Sequence, residues 1–211
     1  MRAMASALWL LAACNALASD SRDIQSWNEL DISTRFTRTL DVTWIVQGRV
    51  SSRLPNPTTY AFGTEWNFRA GKYLEVAPTW YYRASLTAAG VPQHRNLAIL
   101  ALTPKYGWER LTLSDRNRFI GDIHTHGSFQ AYRNRPRVDY RVGPKTSVFA
   151  WGEVFYRANH DGWSRKRFAA GARKTLTDRL AADVYYQRQN DNRSIPAHVD
   201  AVCVVLELRA R

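Results

Sequence analysis

Residues 133–142 read Arg-Asn-Arg-Pro-Arg-Val-Asp-Tyr-Arg-Val. Taken two at a time, Arg133, Arg135, Arg137, Asp139 and Arg141 fall on one side, and Val138, Tyr140 and Val142 on the other. A period of two is that of a β-strand, whose successive side chains point to opposite faces. If such a strand crosses a bilayer, its arginines must turn away from lipid, because each Arg near the midplane of the lipid face costs about 2–4 kcal/mol. A one-residue slip would turn the whole row around, so the register is strongly specified.

The same alternation recurs on both sides of this stretch. Glu29, Asp31, Ser33 and Arg35 alternate with Leu30, Ile32, Thr34 and Phe36. Val42, Trp44, Val46, Gly48 and Val50 oppose Thr43, Gln47, Arg49 and Ser51, and Tyr60, Phe62, Thr64, Trp66 and Phe68 oppose Ala61, Gly63, Glu65 and Asn67. A soluble sandwich alternates too, with its apolar face in a dry core. Rows of long ionic side chains separate the two cases: Arg110, Arg116 and Arg118; Glu153 and Arg157; Arg165, Arg167 and Arg173. A membrane barrel with a polar interior accommodates such rows. On the apolar face Trp44, Trp66, Trp80, Tyr82, Trp108 and Tyr186 lie near strand ends, as in interfacial aromatic girdles. The rival fold is a soluble periplasmic β-barrel that binds a ligand as lipocalins do, with its arginines outward.

The first residues direct the chain to export. Arg2 gives a positive start, Ala7–Ala13 an apolar run, and Ala16-Leu17-Ala18 a small-x-small cleavage site. Residues 1–18 are therefore expected to be a cleaved signal peptide, and 19–211 an outer-membrane β-barrel domain of a Gram-negative cell. Leu11-Ala12-Ala13-Cys14 also fits a lipobox, which would lipidate Cys14. An uncleaved spanning helix needs roughly 20 apolar residues, more than this stretch supplies, and the longest later apolar run is Leu97–Leu102. A membrane location then requires a closed barrel, since only helices and barrels satisfy their own backbone groups in lipid.

The roughly 190 remaining residues suit one domain, all-β: a single antiparallel up-and-down transmembrane barrel of about 10–12 strands. Short connections are expected at Thr37–Asp41, Arg69–Lys72, Lys105–Gly107, Gly143–Lys145 and Lys174–Asp178. Longer ones fall at Leu54–Thr59, Ala84–Gln93, Ile120–Ala131, Ala158–Trp163 and Asn190–Pro196. Eleven strands are counted this way, while bacterial barrels prefer even numbers, so a further strand is expected near the N-terminus or around Leu97–Arg118. Ala172, Leu176, Leu180 and Val184 would also fit a helix, but the turn Lys174–Asp178 echoes Arg38–Asp41 and favours a hairpin.

With these residues in view, the chain resembles the bacterial outer-membrane barrel family catalogued as domain of unknown function 2490. The resemblance rests on Trp27-Asn28-Glu29, Arg133–Arg137, Glu153-Val154-Phe155-Tyr156 and Asn190-Asp191-Asn192, over nearly the whole mature chain. It implies an exported barrel and no particular chemistry. The chain departs from common barrels in closing on Leu206-Glu207-Leu208-Arg209-Ala210-Arg211 without a terminal aromatic residue.

Three constellations could carry function. Asp122, His124, His126 and Ser128 have the ingredients of nucleophilic hydrolysis, or of a metal pair, but share one loop and lack a completing ligand set. Glu29 and Asp31 read as ordinary ion-pair partners. The larger signal is a lumen-facing ionic network of Glu29, Asp31, Arg49, Glu65, Arg116, Arg118, Arg133, Arg135, Arg137, Asp139, Arg141, Glu153, Arg167 and Asp183. It either closes the interior as a plug of ion pairs, joined by Glu75, or attracts anions, as the net charge of +12 suggests.

Cys203, the one cysteine after residue 18, reads as a small wall residue and permits no internal disulfide. Expected partners are membrane lipid including lipopolysaccharide, the barrel-assembly machinery and anionic solutes, with no nucleic acid, cofactor or metal. The function expected is a structural or anion-attracting transport barrel. The alternatives are a lipid-modifying enzyme and a soluble periplasmic binder.

Overall fold

The computed structural model describes residues 22–52, 57–86, 91–123, 129–158, 162–192 and 196–210. The signal-peptide, cleavage and lipobox expectations fall on residues outside these, as do His124, His126 and Ser128. Eleven strands are seen among the described residues: β1 (Arg22–Arg35), β2 (Leu40–Ser51), β3 (Pro57–Ala70), β4 (Leu74–Leu86), β5 (Pro92–Trp108), β6 (Leu111–Asp122), β7 (Phe129–Gly143), β8 (Thr146–Arg157), β9 (Gly162–Thr175), β10 (Leu180–Asp191) and β11 (His198–Arg209). Each pairs antiparallel with the next, and β1 pairs with β11 to close a barrel. With an odd number of alternating strands the first and last point the same way. The closing seam is accordingly parallel, from Arg22↔His198 to Ser33↔Arg209.

Short turns join the strands at one end of the barrel and longer connections at the other. The turns after β1 and β9 are built alike. Phe36 and Thr37 donate their N–H groups to the Leu40 carbonyl, and Leu176 and Thr177 donate theirs to Leu180. In each the threonine hydroxyl accepts two further N–H groups, from Thr39 and Leu40 and from Arg179 and Leu180. Phe36–Leu40 therefore matches Leu176–Leu180, so Leu176 corresponds to Phe36 and not, four residues on, to Leu40 as the sequence suggested. The segment 169–186 is the β9–β10 hairpin.

Two expectations are corrected. The turn placed at Lys105–Gly107 lies at Glu109-Arg110, where Glu109 takes a left-handed φ of 47°. Lys105, Tyr106, Gly107 and Trp108 continue β5 because each finds a partner on β6. Nor does Leu97–Arg118 hide another strand, since it is one hairpin.

The alternation sorts the side chains. Trp44, Phe62, Trp66, Trp108, Val138, Tyr140 and Val142 stand exposed on the outer face, with Tyr60, Trp163 and Tyr186 toward the loop end. The inner face holds a small packed core. Trp27, Val199, Ala201 and Cys203 form one cluster and Phe149, Trp151 and Ala169 a second, joined by Tyr185. Gly171 and Gly63 make this packing possible. A Cβ on Gly171 would fall on Tyr185, and one on Gly63 on Tyr81, so each glycine leaves room for the tyrosine paired with it.

The outer face carries an exception. Pro78, Pro104 and Pro136 stand inside strands, and each interrupts a ladder that a closed barrel otherwise keeps continuous. The β5–β6 pairing stops at Leu102↔Asn117 and resumes at Lys105↔Ser114. It stops similarly beside Pro78 between β3 and β4, and beside Pro136 between β7 and β8. Arg141 donates its N–H to the Arg110 carbonyl, so odd residues of β6 turn their backbone toward β5. Asp115 then faces Pro104, which has no N–H to return. The Asn117 side-chain amide donates to the Asp115 carbonyl instead, at 3.1 Å. Asn117 and Asn134 also donate to the Asp115 carboxylate, at 3.2 and 2.7 Å.

Candidate functional site

The residues that alternate with the apolar wall meet inside the barrel. Twelve of the fourteen network residues, Glu29, Asp31, Arg49, Glu65, Arg116, Arg118, Arg133, Arg135, Arg137, Glu153, Arg167 and Asp183, line one central cavity of about 300 Å³. Asp139 lines a cavity of about 450 Å³ at the turn end, beside Arg116, Arg137 and Arg173. Arg141 lines a recess by the β7–β8 turn with Arg110 and Lys145.

Several ion pairs reach between strands that are not neighbours. Arg116 of β6 donates to Glu65 of β3, with Arg118 4.0 Å from the same oxygen. Arg137 grips Asp139 on its own strand at 2.7 Å and lies 3.8 Å from Asp183 of β10. Arg173 joins Asp183 at 3.2 Å and also donates to Glu207 of β11. Between adjacent strands, Arg167 meets Glu153 at 3.2 Å and donates Nε–H to Gln189 at 2.8 Å. Two carboxylates have other arrangements: Glu29 accepts from Gln47 at 2.6 Å, and Asp31 keeps a buried oxygen with no hydrogen-bond partner among the described residues.

Aromatic rings hold the guanidinium groups in place. Arg49 lies 3.8 Å above the Trp27 ring, with Arg167 5.0 Å from it. Arg133 and Arg167 lie over Phe155 at 4.4 and 4.5 Å, Arg137 over Phe149 at 4.0 Å and Arg135 over Trp151 at 5.3 Å. Guanidinium stacks well on an aromatic face while its in-plane N–H groups stay free to donate. The sequence reading did not single out Trp27, Phe149, Trp151, Phe155, Tyr81 or Tyr185 as interior groups. Their signal was parity, since Trp27 shares the face of Glu29, and Phe149, Trp151 and Phe155 that of Glu153.

Charge is unevenly spread. The central cavity is lined by nine arginines (49, 83, 116, 118, 133, 135, 137, 165 and 167) and six carboxylates (29, 31, 65, 153, 183 and 207). A cavity of about 400 Å³ at the loop end is lined by Arg49, Arg83, Arg95, Arg133, Arg157 and Arg165 and by no carboxylate. Among the described residues no group of three His, Cys, Asp or Glu side chains could hold a metal ion.

Residues 24–199 match the family model described as Protein of unknown function (DUF2490). The chain belongs to this family. No curated protein sequence matches this DUF2490 chain. Its fold is similar to that of solved porins. The NanC porin, in a rhombohedral crystal form, aligns with a TM-score of 0.57 at 10% identity over 89% of this chain and 99% of its own. The KdgM porin aligns with a TM-score of 0.50 at 10% identity over 81% and 92%. At that identity the likeness concerns the architecture, and the interior of the DUF2490 barrel has to be read from its own side chains.

Proposed function

We propose that this DUF2490 protein is an outer-membrane barrel that attracts small anions into an arginine-rich interior and passes them across the membrane. A cleaved signal peptide, residues 1–18, would export it. The observation that carries the reading is the excess of nine arginines over six carboxylates around the central cavity. A cationic lining in a low-dielectric wall focuses its field, raises the local concentration of anions and excludes cations. An apolar, aromatic-bearing outer face supports the membrane setting. Among the described residues no helix is long and apolar enough to cross a membrane. The two similar structures are those of porins, which supports a transport role.

The test is reversal-potential measurement in planar bilayers under a KCl gradient. The parent barrel is expected to prefer chloride. Arg135→Gln with Arg137→Gln should reduce that preference in a chain that still shows heat-modifiable migration. Unchanged selectivity in a well-assembled double variant would leave the arginines a structural role only.

A further inference from the structure

The loop-end cavity differs in kind from the rest of the interior, and on the reading of the interior as an anion passage we propose that it is a binding site for a phosphate monoester carried on a small hydroxyl-rich body. In the central cavity Arg116, Arg118, Arg137 and Arg167 each meet a carboxylate. At the loop end six arginines line one space of about 400 Å³ that no carboxylate lines. Asp191 pairs with two of them, lying 2.5 Å from Arg165 and 3.9 Å from Arg157. No ion pair involves Arg49, Arg83, Arg95 or Arg133 among the described residues, and the Nε–H groups of Arg49, Arg83 and Arg133 are buried without an acceptor. Like charges held together with unused donors are costly unless something of opposite sign joins them.

The geometry selects the ligand. Arg49 is held on Trp27 and Arg133 on Phe155, so both guanidinium edges are fixed before anything binds. Fixed forks suit an oxyanion that accepts in bidentate fashion. A phosphate monoester carries about −1.5 to −2 charges at pH 7 and three strong acceptor oxygens, against one charge and two oxygens for a carboxylate, and so matches several cations better. The rest of the lining comes from Thr59, Ser85, Gln93 and Gln130, which can bond hydroxyl groups, and from Leu97 and Ile120, which offer an apolar face. That combination fits a sugar-sized body and exceeds what inorganic phosphate needs.

Glucose 6-phosphate is the probe, with glucose, glucuronate and inorganic phosphate as comparisons. All are titrated calorimetrically against the refolded full chain in detergent. Saturable binding of glucose 6-phosphate is expected, at least tenfold tighter than inorganic phosphate or glucuronate, with none for glucose. Arg83→Gln with Arg133→Gln should weaken it at least tenfold, and the Arg83→Lys, Arg133→Lys pair should restore part of the loss. The lysine pair also serves if the glutamine pair does not fold. No saturable binding, equal binding by the glutamine variant, or glucuronate binding as tightly as glucose 6-phosphate would overturn the assignment. Chloride selectivity measured on the same preparations keeps the two ideas apart. A selective barrel that ignores glucose 6-phosphate refutes this site alone, and a non-selective barrel that binds it refutes the passage alone.

Discussion

Replacing Glu153 with glutamine should destabilise the barrel more than any other single change in the ion-pair network. The Glu153 and Arg167 side chains are only 4% and 8% exposed, and they meet at 3.2 Å. Arg133 and Arg165 share the Phe155 ring with Arg167, at 4.4 and 5.4 Å, so Glu153 sits beside a group of guanidiniums. An amide in its place still accepts a hydrogen bond but returns no charge. Breaking a buried pair by removing one partner costs about 3–5 kcal/mol, because the other charge stays behind uncompensated. At about 1.4 kcal/mol per decade, the middle of that range is a change of roughly a thousandfold in the folding equilibrium. Urea unfolding in lipid vesicles, followed by tryptophan fluorescence, measures it. The double variant Glu153→Leu, Arg167→Met should regain most of the loss, since an apolar replacement of a whole buried pair is often close to neutral. A Glu153→Gln barrel within about 1 kcal/mol of the parent, or a double variant no better than the single one, would show that water in the interior already screens the pair.

Other sites give sharp contrasts. Gly171→Ala and Gly63→Ala, which press on Tyr185 and Tyr81, should each cost about 1–3 kcal/mol, whereas Gly48→Ala, with open space at its Cβ, should not be destabilising in the same urea assay. Asn117→Leu should cost about 1–3 kcal/mol by stripping the Asp115 carbonyl and carboxylate of a donor; an unchanged midpoint would mean that another group takes its place. Thr37→Val and Thr177→Val should each lose about 1 kcal/mol, and the two losses should add because the turns share no partner.

The period-two pattern was enough to derive strands with arginines on one face, because alternation is a local property that every strand states for itself, and closure followed from the separate argument that a sheet in lipid can leave no open edge. Residue 135 could be placed opposite residue 138 without knowing any neighbour. Which residues meet across the interior is not local. Arg116 finds Glu65 fifty-one positions away, through the curvature of the whole barrel. Glu207 was overlooked as the partner of Arg173, since nothing in a segment ending Leu-Glu-Leu-Arg marks its glutamate. The interior aromatics were legible by parity but were masked by the habit of placing Trp and Tyr on the outer girdle. Asp115, Asn117 and Asn134 ran the other way, as polar groups at outward positions, and only the absent N–H of Pro104 explains the amide of Asn117. The turn at Glu109-Arg110 was missed because Gly107 looks like a turn residue, while the left-handed position is filled by a glutamate.

The parallel seam limits how the chain can be rewired. In an antiparallel closure the outer ends of the first and last strands emerge together, and a short linker can join them in a circular permutation. Here β1 begins at the loop end and β11 finishes at the turn end. Twelve residues of paired strand separate those points, roughly 40 Å at about 3.3 Å per residue. A linker joining them would have to thread the arginine-lined interior or run along the outer wall, so opening the ring elsewhere cannot be compensated by sealing this seam with a tight turn.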